Sequence, residues 1–330
     1  MSPLAAHPIH LLWAAPIAFG AGWAAQRASL CNVRAVADWL ERRDAAMLAG
    51  LLQASLWATA GTGLLWLAGP AQPVPGAPMG GLGALLGGLL FGLGAALNKG
   101  CSLSTLTRLA EGQWAMLLTL AGFALGARAA HEVAGHAAAA RLTDGAGWPA
   151  FPGWSTAAVW LLIPLAAWWL RSALRRASKA HGRRRHGAWW REPSWSPRQA
   201  AWLFGLAGAL MYGAFGAWTY TNLLRVQATG QAVPALLGHL VLVACLVAGM
   251  VWSAHGRGRR ALRGPEDGGL LRHLGGGLLM GIGSVAIPGG NDSVLLAWMP
   301  GLSLDGLVAY AGMLLGIAAP MLLQRWRRRA

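Results

Sequence analysis

Charge is what this chain has least of. Only 12% of its 330 residues are Asp, Glu, Lys or Arg, against about 25% in a soluble domain. Hydrophobic residues make up 55%, and the mean hydropathy is +0.45. Most of such a chain must face lipid or other helices. Cysteine is scarce too: there are three, with no C-x-x-C, which excludes a disulfide framework and a zinc finger. A G-x-x-x-x-G-K-[ST] loop is missing, so any ATP drive would need another protein. The N-terminus, MSPLAAHPIHLLW, lacks a basic leader region and a clear cleavage site and is expected to be retained. His131 and His136 have no acidic partners at ligand spacing, so neither metal nor cofactor is expected.

The charge that is present is one-sided. The net charge of +16 would suit nucleic acid, but the basic residues cluster in loops between apolar spans, where they read as topology signals. Nucleic-acid binding is therefore not expected. Stretches of about 20 apolar residues fall near 11–30, 46–69, 80–100, 113–135, 154–171, 200–221, 233–254, 270–288 and 304–324. The Pro-rich segment 70–79 and the polar segment 136–153 read as external loops. Nine spans with the N-terminus periplasmic and the C-terminus cytoplasmic put four basic clusters on one side. They hold Arg34, Arg42 and Arg43; the run from Arg171 to Arg198; Arg257 to Arg272; and Arg325 to Arg329. The expected protein is all-α and inserted in a bacterial inner membrane, with lipid as its surroundings. Residues 1–172 form one membrane repeat, 173–198 a basic cytoplasmic linker, and 199–330 a second repeat.

Glycine is abundant, at 47 residues, and it is patterned. GGLLFGLGAALNKGCSLSTLTRL from Gly87 and GGLLMGIGSVAIPGGNDSVLLAW from Gly276 read as one unit written twice. Both interrupt an apolar stretch where a membrane helix should continue. The likeness resumes at AGFALG from Ala121 and AGMLLG from Ala311. In the nine-span topology the two copies run in opposite directions, which makes the halves inverted and pseudo-symmetric. Paired broken helices of this kind point to a transport site. The first and sixth spans should form a further pair, although FGAGWAAQ and FGLAGALM match weakly.

The polar residues at these breaks are the site candidates. One group is Gln26 and Arg27 with Cys31, in the run Gln26-Arg27-Ala28-Ser29-Leu30-Cys31-Asn32. The other is Asn98, Lys99, Gly100, Cys101 and Ser102, followed by Thr105, Arg108 and Glu111. A glycine before Cys101 lets a new short helix begin there, and its free N–H groups and positive end can face an anion. Lys99 and Arg108 are costly in an apolar span unless paired or in contact with a ligand. Arg108 and Glu111 could also form a structural ion pair at i, i+3. Cys245, in LVLVACLVAG, reads as packing.

QRASLC at 26–31 and NKGCSLSTLTRLAEG at 98–112 resemble the two signature motifs of the YeeE/YedE family of bacterial inner-membrane sulfur-compound transporters. The resemblance spans nearly the whole chain. It implies two inverted helical halves with short re-entrant helices meeting centrally, and uptake of thiosulfate past cysteine thiols. Carried over by motif, those thiols are Cys31 and Cys101. A third Gly-Cys is replaced here by Gly290 or Asn291, followed by Asp292. An Asp in a dry anion path must be protonated or paired. Lys99 is its expected partner.

The function expected is import of a small sulfur-containing anion such as thiosulfate through a cysteine-lined path, without enzymatic activity. A different sulfur or selenium species is an alternative. The rival reading is a membrane sulfur carrier, or sulfurtransferase, holding a persulfide on Cys31 or Cys101. A cytosolic sulfur-carrier protein is the one protein partner considered.

Overall fold

The computed structural model describes residues 8–67, 81–143, 194–258 and 269–328, apart from 216–217, 234–235, 288 and 302, together with residues 165, 168, 172 and 192. These residues form helices and no β-strand. In chain order the helices are α1 (Pro8–Ala28), α2 (Asn32–Arg42), α3 (Ala46–Leu67), α4 (Gly81–Leu97), α5 (Ser102–Ala110) and α6 (Met116–Thr143). After them come α7 (Pro197–Phe215), α8 (Tyr220–Ala228), α9 (Leu236–Gly256), α10 (Gly269–Ala286), α11 (Asn291–Trp298) and α12 (Leu304–Arg327). Helix α11 opens as an α-turn and continues as a π-turn from Val294. Four times, at α1/α2, α4/α5, α7/α8 and α10/α11, a long helix breaks and a short one follows.

Eight of the nine apolar stretches carry a long helix. The ninth, 154–171, lies mostly outside the described residues, as do the 70–79 loop and most of the 173–198 linker. By length and hydropathy, four described segments can cross a membrane: Ala46–Leu65, Gly81–Ala110, Leu236–Gly256 and Leu304–Arg327. Gly269–Ala286 with Asn291–Trp298, bent by 42°, would make a fifth. The others fall short for compositional reasons. Helix α6 carries Arg128, His131 and Glu132, and α1 and α7 dilute their aliphatic residues with Gly, Trp, Pro or Tyr. Two boundaries differ from the expected ones. Helix α6 continues to Thr143, so the start of the expected 136–153 loop is helical, and α7 ends at Phe215 inside the expected span 200–221.

The repeated glycines are the contact surfaces between long helices. Helix α4 packs along α12 and across α10, α10 along α6, α3 along α7, and α1 along α9. The two seams are reciprocal. A Cβ on Gly92 would fall well inside contact with the Met313 carbonyl oxygen, and a Cβ on Gly277 would do the same at Thr119. Without a hydrophobic drive between helices in lipid, such close approach supplies the dispersion contacts that hold them together. The buried core gathers Leu30, Phe91, Trp218, Tyr220, Val294, Tyr310 and Met313 around the four breaks.

Gly277→Leu should therefore part α10 from α6 and lower the melting temperature of the detergent-purified protein by several degrees or more. Gly20→Ala, where a Cβ meets nothing within 4 Å, should leave it unchanged. Equal melting temperatures for Gly277→Leu and the native protein would contradict the seam.

Candidate functional site

Each break ends one helix and aims the start of another inward. At the first two breaks the long helix closes with a Schellman turn. Leu30 N–H bonds the Ala25 carbonyl at 3.2 Å and Ser29 N–H the Gln26 carbonyl at 3.2 Å. Gly100 N–H bonds Ala95 at 2.9 Å and Lys99 N–H bonds Ala96 at 3.0 Å. Ser29 (φ 50) and Lys99 (φ 54) occupy the left-handed position that this turn needs. Two residues later stands the N-cap of the new helix: Cys31 for α2 and Cys101 for α5. The other two short helices are capped by Thr219 (α8) and Gly290 (α11). None of the four has a side-chain cap bond, so first-turn N–H groups are left for whatever lies opposite.

The four N-termini meet. The Cys31 and Cys101 thiols are within hydrogen-bonding reach of each other, and both residues are buried. Ser102 Oγ donates a short bond to Asn291 Oδ1 and reaches Asp292 Oδ1 at 3.3 Å. The Tyr220 hydroxyl donates to the Ser102 carbonyl. Thr221 Oγ1 donates to Asp292 Oδ1 at 2.6 Å, and Thr219 Oγ1 lies 2.5 Å from Ser293 Oγ. Tyr310 closes the other side, donating to Asn32 Oδ1 at 3.2 Å. The Asn32 Nδ2 donor is buried without a partner. A buried amide donor with no acceptor is costly, and here it sits one residue from the Cys31 thiol.

Of the residues expected from sequence, the structure gathers Cys31, Cys101, Ser102, Gly290, Asn291 and Asp292. Asn98 is adjacent and holds the second break in shape. Fully buried, its Nδ2 donates to the Gly100 carbonyl at 2.9 Å and to Thr105 Oγ1 at 3.2 Å. Its Oδ1 accepts from Thr119 Oγ1 at 2.9 Å and lies 2.6 Å from His273 Nδ1. Gly100 is buried against Ser104 Oγ, which a Cβ would meet at 2.5 Å. Gln26 stands off the centre and donates to Glu111 Oε1 at 2.9 Å. Glu111 also pairs with Arg257 at 3.4 Å. Arg108 donates to Gln113 Oε1 at 2.8 Å. Arg27 bonds the Glu192 carbonyl and lies 5.2 Å from the Trp23 ring centroid.

One expected contact is absent. Lys99 is exposed and forms no ion pair with Asp292. The left-handed turn carries its side chain out to a cavity of about 250 Å³ lined also by Val33, Glu41, Arg325 and Arg328. Backbone N–H groups of Thr221, Asp292 and Ser293 face the Asp292 carboxylate in place of a cation.

The sequence reading missed Thr219, Tyr220, Thr221 and Ser293. The first three were absorbed into the span 200–221, and the one available signal was the polar run WTYTN at its end. Cys245 lies apart, half-buried on α9.

A family model described as sulphur transport matches residues 27–319. No curated protein matches the chain.

Proposed function

We infer that the chain, which belongs to the sulphur transport family whose model covers most of its length, moves a sulfur compound as a multi-pass membrane protein. We propose that the compound is a small anion such as thiosulfate, that it is taken up, and that it passes between Cys31 and Cys101. The observation that carries this reading is the pair of facing thiols at the N-caps of α2 and α5, beside the unpartnered Asn32 Nδ2. A thiosulfate-like ion has one soft terminal sulfur and hard oxygens. Thiols are weak donors suited to the sulfur, while helix-terminal N–H groups and the Asn32 Nδ2 suit the oxygens. Weak contacts in series let an ion enter and leave. The cavity holding Lys99, Arg325 and Arg328 lies next to α2 and the end of α4. We assign it as the exit vestibule, since positive charge marks the cytoplasmic face.

We also propose nine spans in two inverted halves. What supports the halves is the pattern of helix pairs. Exchanging α1–α6 for α7–α12 turns the α4–α12 pair into α10–α6 and the α3–α7 pair into α9–α1, and leaves α4–α10 and α1–α7 in place. An odd span count then puts the basic 173–198 linker and the C-terminus on the cytoplasmic side. Reporter fusions should place residue 185 inside and residue 145 outside; the same side for both would contradict nine spans.

Thiosulfate uptake should fall about tenfold or more in Cys31→Ala and Cys101→Ala and stay unchanged in Cys245→Ala. The measurement is labelled thiosulfate uptake and growth on thiosulfate as sole sulfur source. Equal behaviour of all three variants would remove the thiols from the path. A protein-bound persulfide on Cys31 or Cys101 after thiosulfate exposure, with no uptake, would favour the sulfur-carrier reading.

A further inference from the structure

The two halves of the central site differ in one respect. In the first half the N-caps of α2 and α5 are thiols that face each other, and Ser102 of α5 reaches the Asp292 carboxylate of the other half at 3.3 Å. In the second half the N-termini of α8 and α11 converge on a carboxylate. Asp292 lies in the first turn of α11 and is buried, with 4% of its surface exposed. Its side chain accepts from Thr221 Oγ1 at 2.6 Å and from Ser102 Oγ at 3.3 Å, and the backbone N–H groups of Asp292, Ser293 and Thr221 face it. Two helix N-termini and two hydroxyls are what a small oxyanion would be offered.

Among the described residues no cation is paired with Asp292. The titratable groups facing Asp292 are the hydroxyls of Tyr212 on α7 and Tyr220 on α8, with the Cys101 thiol next to Ser102 on the side of α5. From α4 comes Phe91. An ionised Asp292 would depend on the Thr221 and Ser102 hydroxyls and on the two helix N-termini, as a bound anion would.

Gly290 supplies an independent observation. It occupies the N-cap position that Cys31 and Cys101 occupy in the first half. A Cβ there would lie 2.9 Å from Asp292 Oδ1, 2.9 Å from Thr221 Cγ2 and 3.0 Å from Phe91 Cζ. The space that a capping side chain would take is filled by the carboxylate and its partners.

We propose that Asp292 is a tethered anion that fills the second helix-terminal cradle and thereby sets which anions the protein accepts. It rests on the thiol half being the substrate side. An anion leaving Cys31 and Cys101 meets, next to Ser102, a site already occupied by like charge. The carboxylate opposes anions of higher charge more strongly, and so narrows the substrates that can pass.

The test uses the purified full-length protein in detergent, melted with sodium formate or sodium thiosulfate against sodium gluconate at equal ionic strength. Asp292→Ala leaves the cradle empty and should melt lower than the native protein. Formate should restore it, while native protein should not respond to formate. Asp292→Asn keeps the size and loses the charge; thiosulfate should stabilise it at about tenfold lower concentration than the native protein. Should Asp292→Ala fail to fold, the Asp292→Asn comparison decides. Native and variant proteins responding alike to both anions would overturn the tethered-anion role. Formate rescue in a protein that takes up no thiosulfate would leave that role standing and sink only the transport reading.

Discussion

A helix that stops within an apolar surround leaves backbone N–H and carbonyl groups that lipid cannot satisfy. The described residues contain four such stops, after Ala28, Leu97, Phe215 and Ala286, and the remaining architecture answers to them. Schellman turns close the carbonyl ends of α1 and α4. The N–H ends of the short helices are brought to one place, where they can share ligands with each other. Glycine seams make this geometry available: α4 and α10 pack antiparallel, with Gly94 against Gly276 and Gly87 against Gly283, so the second and fourth breaks stand at opposite ends of the pair. Ser102, Asn291 and Asp292 then meet across the middle.

Convergent helix N-termini create a positive focus without a buried lysine or arginine at the centre. The cationic residues expected there take other positions. Lys99 faces the basic cavity, and Arg108 donates to Gln113. A neutral-donor centre flanked by a basic cavity is suited to passing an anion, because a fixed ammonium in low dielectric would hold it too strongly. The thiols of the first half and the carboxylate of the second are two ways of treating the same kind of focus. In the proposed path the first stays open to a soft anion, and the second is filled from within the chain.

Much of this was legible in the sequence because the repeat was written in glycines. The GGLLFGLG and GGLLMGIG segments located α4 and α10, and the residues after them located the breaks. Cys31 and Cys101 stood out by their polar flanks. The break between α7 and α8 did not, since the polar run WTYTN falls at the end of an apolar stretch, where a span would close in any case. The Asp292–Lys99 pairing failed for a physical reason. Charge matching along a sequence ignores backbone donors, and it cannot see that a left-handed turn points Lys99 away. Long-range contacts such as Gln26 with Glu111, 85 residues apart, carried no local signal at all.

The central claim is that a sulfur anion rests between the two facing thiols at the N-termini of α2 and α5. An experimental structure with thiosulfate bound, phased so that anomalous scattering marks sulfur, tests it most directly. A pair of extra sulfur peaks is expected beside the Cys31 and Cys101 Sγ atoms, with oxygens toward Asn32. Peaks confined to the vestibule at Lys99 and Arg325, with the thiols still in contact with each other, would contradict it.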